Sequence, residues 1–87
     1  MNKYTNFLAM ISTEFQRYLM EHEEVSNTIP PNALVIFQVK GEDSFNKWNR
    51  KISLKNRETG QTIYYVHLKG LRRHSLIEEV DLEEVMA

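Results

Sequence analysis

A chain of 87 residues without cysteine has material for one hydrophobic core but no disulfide or thiolate ligand, so packing or association with another chain must supply its stability. No apolar run approaches the roughly 18–20 residues needed to cross a bilayer. Residues 7–11 run on into Glu14 and Arg17 without a cleavage-site pattern, which argues against membrane insertion and secretion and for a cytoplasmic protein.

The formal charge of -1 hides a sorted distribution. Residues 1–39 hold Lys3 and Arg17 against four glutamates, and residues 40–73 hold nine cations against Glu42, Asp43 and Glu58. The tail then adds Glu78, Glu79, Asp81, Glu83 and Glu84. Such sorting fits an anionic partner for the middle segment, or an acidic tail that folds back on its own basic segment, and the second reading is favoured slightly.

Tyr4, Phe7, Leu8, Ile11, Phe15, Tyr18 and Leu19 recur at spacings of three and four, which predicts an amphipathic helix over 3–22. Residues 23–29 add at most another helical turn, because Pro30-Pro31 forces extended backbone. Residues 33–39 are apolar on both faces and rich in β-branched side chains, the pattern of a strand covered on both sides. Gly41 breaks that strand. Asp43 or Ser44 then caps a helix with Phe45, Trp48 and Ile52 on one side and Lys47, Arg50, Lys51, Lys55 and Arg57 on the other, Trp48 serving as a core anchor.

Gly60 stops this helix and residues 62–69 read as a second strand, closed by Gly70. Alternation assigns Ile63, Tyr65 and His67 to one face and Tyr64, Val66 and Leu68 to the other. A strand, a helix and another strand make a right-handed crossover with parallel strands. Two strands are too few for a stable sheet, so a third must come from the tail or from a second subunit, and this shortage predicts a homo-oligomer, most simply a dimer. In the tail, Ser75 and Glu78 fit a capping box whereas Val80-Asp81-Leu82 alternates like a strand; the reading leans to a helical turn. The expected fold class is α/β, with α+β as the alternative. It consists of a long N-terminal helix and a β-α-β unit in one domain over 1–87, with an acidic tail from about residue 76.

Glu14-Phe15 with Tyr18-Leu19, then Glu21-His22-Glu23, Ile29-Pro30, the apolar strand, Phe45-Asn46 and Lys69-Gly70-Leu71-Arg72 give the chain a resemblance over most of its length. It resembles a family of small prokaryotic proteins catalogued as a domain of unknown function. The resemblance implies a prokaryotic origin and brings no activity, cofactor or functional residue with it.

Ligands of crossover units gather beyond the carboxyl ends of the strands. There Lys40, Gly41 and Ser44 would meet Gly70, Arg72, Arg73, His74 and Ser75, a set that suits an anion. Glu42 and Asp43 lie in the same loop, and their pairing with Arg72 and Arg73 is the more economical expectation. The helix face with Lys47, Lys51 and Lys55 at i, i+4, i+8, flanked by Arg50, is the second candidate, for a phosphate backbone. An ordinary solvated face explains it more readily, since no nucleic-acid-binding signature accompanies it.

His22, His67 and His74 are too scattered for a metal site, and no nucleophile stands in a catalytic pattern, so neither catalysis nor a cofactor is expected. The leading functional expectation is a non-catalytic protein-interaction module that self-associates. The alternative is a small anion- or nucleic-acid-binding regulator that uses the basic helix face and the Lys40 and Arg72-Arg73 loops.

Overall fold

The apolar stripe at the N-terminus forms α1 (Lys3–Glu21), with Ile11 and Phe15 fully buried and Tyr4, Phe7, Leu8, Tyr18 and Leu19 packed against the core. Arg17 on its wet flank reaches both the part-buried Glu14 (3.3 Å) and the exposed Glu21 (2.9 Å), pairs that add a few tenths of a kcal/mol to the helix. The chain breaks at His22, whose ring stacks on Tyr18 at 3.9 Å while its Nδ1 lies 2.9 Å from the Tyr18 carbonyl oxygen. The expected extra turn is α2 (Glu23–Ser26).

A computed structural model describes residues 3–71 and 77–85. Beyond Pro30-Pro31 it comprises β1 (Leu34–Val39), α3 (Asp43–Lys55), β2 (Ile63–Leu71) and β3 (Ile77–Val85). Gly41 and Gly60 adopt positive φ of +86° and +77°, conformations that cost a side-chain-bearing residue most. Gly41 precedes α3, but the helix already ends at Lys55 with Asn56 as its cap, so Gly60 belongs to the turn before β2 and does not stop the helix. The three strands form one sheet in the order β1-β2-β3, with β1 parallel to β2 and β3 antiparallel to it.

The tail is therefore a strand and not the expected helical turn. Val80 and Leu82 stand opposite Leu68 and Val66 on the core face, and Asp81 and Glu83 take the other. That period of two decides the conformation, and pairing to β2 supplies the backbone partners that a lone helical turn would lack. The chain supplies its own third strand, which removes the strand shortage from which a dimer was predicted. Two boundaries also move. Gly70 does not close β2 but lies within it, at an irregularity in the pairing with β3, and α3 begins at Asp43, with Glu42 in the capping position and no side-chain cap bond.

The cluster that packs against the long helices lies on one face of this sheet, while Ile36 and Ile63 are buried on the other. Phe37, Val39, Val66, Leu68 and Ile77 meet Ile11 and Phe15 of α1 and Phe45 of α3, each buried side chain contributing roughly 1.5–3 kcal/mol. Phe15 stands edge-on to Phe37 at 5.3 Å and Phe7 edge-on to Phe45 at 4.8 Å. Trp48 is half-buried and packs on Tyr4 at 5.5 Å, a flank of the core more than its anchor. Ile52, expected on the buried side, is 42% exposed, because α3 meets the sheet at its edge.

Candidate functional site

Asn46 and Asn49 explain the placement of α3. The Val39 N–H donates to Asn46 Oδ1 at 2.7 Å, and Asn46 Nδ2 donates to the Val39 carbonyl at 2.8 Å. Asn49, 2% exposed, donates from Nδ2 to the Phe37 carbonyl at 3.2 Å. These are the backbone groups that β1 turns away from β2, so the two amides stand where a neighbouring strand would pair. β1 is covered on both faces, as its apolar run predicts, with Ile36 buried on one and Phe37 and Val39 on the other, and although it is an edge strand α3 also covers its free edge.

This arrangement separates two faces of the sheet. The first carries the core. The second displays Leu34, Ile36 and Gln38 on β1, Ile63, Tyr65, His67 and Lys69 on β2, and Asp81, Glu83 and Val85 on β3, as the registers require. Ile36 and Ile63 are buried there, Leu34, Tyr65 and Val85 only half-buried. None of these residues belongs to the cluster that joins the two long helices to the sheet.

Diagonal pairs cross its polar end: His67 Nε2 lies 3.0 Å from Glu83 Oε1, and Lys69 pairs with Asp81. Tyr64 points the other way, its hydroxyl 3.2 Å from the Thr28 carbonyl and 3.1 Å from Glu84 Oε1. Burial, reinforced by Glu84, pushes its phenol above the usual tyrosine range and keeps it neutral.

Of the predicted site residues, Lys40 lies exposed after β1 and lines an open cleft of about 660 Å³ with Asp43, Asn46, His67, Lys69 and Asp81. The mixed signs, with Lys69 already on Asp81, make this a poor anion cradle. Ser44 lines a separate cleft of about 440 Å³ with Lys3, Tyr4 and Phe7. Lys47, Arg50, Lys51 and Lys55 are exposed along α3, and no carboxylate among the described residues pairs with them. Arg72, Arg73 and His74, and the pairing expected of the two arginines with Glu42 and Asp43, lie outside the described residues.

The sheet order also bears on the sorted charge. α3 flanks β1, whereas β3 forms the opposite edge, so Asp81 meets Lys69, Glu83 meets His67 and Glu84 meets the Tyr64 hydroxyl on β2, and none of the three meets the cations of the helix. Among the described residues no group of three His, Asp or Glu is placed to hold a metal ion, and no helix is long and apolar enough to cross a membrane.

Sequence reasoning missed Asn46 and Asn49 as structural groups. Their signal was two amides three residues apart, interrupting the apolar side of a helix that follows a strand.

A family model described as a family of unknown function (DUF5647) matches residues 3–80. No curated protein and no solved structure matches the chain significantly.

Proposed function

We propose, for a chain that belongs to the DUF5647 family of unknown function, a non-catalytic protein-interaction module that associates with a second copy of itself through the second face of its sheet. The observation that carries this reading is a rim of half-buried apolar side chains around the buried Ile36 and Ile63 on that face. Leu34, Tyr65 and Val85 stay half-buried there, outside the cluster packed by the two long helices. Leu54 of α3 adds an apolar side chain that is 40% exposed. A chain this short buries only about 60–65% of its extended surface, so covering a further apolar face adds stability that the single chain lacks.

Sedimentation across the micromolar range tests the reading. The wild-type chain is expected to pass from monomer to dimer, and Tyr65→Glu to stay monomeric with unchanged circular dichroism. A well-folded wild-type monomer throughout that range would contradict it.

A second reading has its own support, the exposed cations of α3, which have no carboxylate partner among the described residues. They suit the phosphate backbone of a nucleic acid. RNA added at low salt to the same sedimentation runs decides this: co-sedimentation that disappears on replacing Lys47, Lys51 and Lys55 with alanine would favour it over self-association.

A further inference from the structure

We infer that the two copies meet about a two-fold axis parallel to the strands, so that α3 of each lies along the acidic β3 edge of the other. The inference rests on the self-association reading and adds the geometry of the pair. Two copies that stack their second faces with strands aligned have two simple choices of axis. An axis perpendicular to the strands within the sheet plane sets α3 against α3 and β3 against β3, cation on cation and carboxylate on carboxylate. An axis parallel to the strands exchanges the edges, and each basic helix faces an acidic strand twice over. Opposite charge selects the second arrangement.

The levels along the strands agree with it. Asn46 on Val39 and Asn49 on Phe37 fix α3 antiparallel to β1. The helix rises about 1.5 Å per residue and a strand about 3.3 Å. Lys47 is therefore level with Gln38, Arg50 with Ile36 to Phe37, and Leu54 with Leu34 to Val35. Across the sheet, Gln38 aligns through His67 with Asp81, Ile36 through Tyr65 with Glu83, and Leu34 through Ile63 with Val85.

A two-fold axis along the strands preserves these levels. It brings Lys47 towards Asp81, Arg50 towards Glu83 and Leu54 towards Val85 of the other copy, so that two opposite-charge contacts and one apolar contact fall into step. All six residues are exposed or half-buried in the single chain, and Asp81, which already pairs with Lys69, and Glu83, which faces His67, each have a second carboxylate oxygen to offer.

The absence of cysteine from the chain makes a clean test available. Leu54→Cys and Val85→Cys proteins, mixed and mildly oxidised at a concentration where the wild type is dimeric, should give chiefly the 54–85 disulfide heterodimer. Arg50→Glu, a change at an exposed helix position, should weaken the dimer by about tenfold or more, and adding Glu83→Arg should restore it. Predominance of the 54–54 or 85–85 product, or a dimer indifferent to Arg50→Glu, would overturn the arrangement while leaving self-association standing. A wild type that stays monomeric would remove both.

Discussion

Asn49 carries more of the fold than its small side chain suggests. Its amide is buried against the Phe37 carbonyl, a group that no strand serves on that side of β1. Replacing it with alanine leaves a buried acceptor without its donor, and the expected cost is about 1–3 kcal/mol. Lys51→Ala, at an exposed position on the same helix, should stay within about 0.5 kcal/mol. Urea unfolding of the two variants measures both numbers; equal losses would show that the amide does not support the edge. Tyr64 plays a comparable part at the other end of the sheet, its neutral phenol placed between Thr28 and Glu84 and thus between the loop before β1 and the last strand.

Among the elements, β3 turns an incomplete pair of strands into a sheet. It covers one edge of β2 and sets Val80 and Leu82 beside the core. A chain that stops before Ile77 should lose cooperative thermal unfolding, because β2 would keep buried side chains such as Leu68 and Val66 without the strand that flanks them. Retention of a sharp transition would show that β1, β2 and the helices suffice.

The acidic residues give β3 a second role at its outer edge. Charged side chains there discourage pairing with another strand.

α1, β1, α3 and β2 were all legible in the sequence, because their periods of 3.6 and 2 run over enough residues to stand out. β3 was less so: its alternation competes with a helix-start signal at Ser75 and Glu78, and only the pairing with β2, remote in the reading of a local pattern, resolves the conflict. The edge role of α3 was hidden for a related reason. Asn46 and Asn49 look like ordinary polar helix residues until the strand they serve lies beside them. The exposed cations of α3 could be named from composition, but their separation from the acids of β3 needed the strand order.

At the scale of the whole molecule, the chain is a sheet with helices on one face and along one edge, and with charge divided between its two edges. Sorting the cations to α3 and the acids to β3 does little for the stability of one copy, since exposed pairs contribute little and none is made to the helix cations among the described residues. In the proposed dimer the same sorting would fix orientation and raise the rate of encounter. Added salt should therefore loosen the association without unfolding the chain.

The most direct measurement is the amide NMR spectrum followed through dilution. The resonances of Leu34, Tyr65 and Val85 should shift together as the dimer separates, while Gln16, on the exposed side of α1, holds its position. A spectrum that does not change with concentration, from a particle that tumbles as a single chain, would contradict the account.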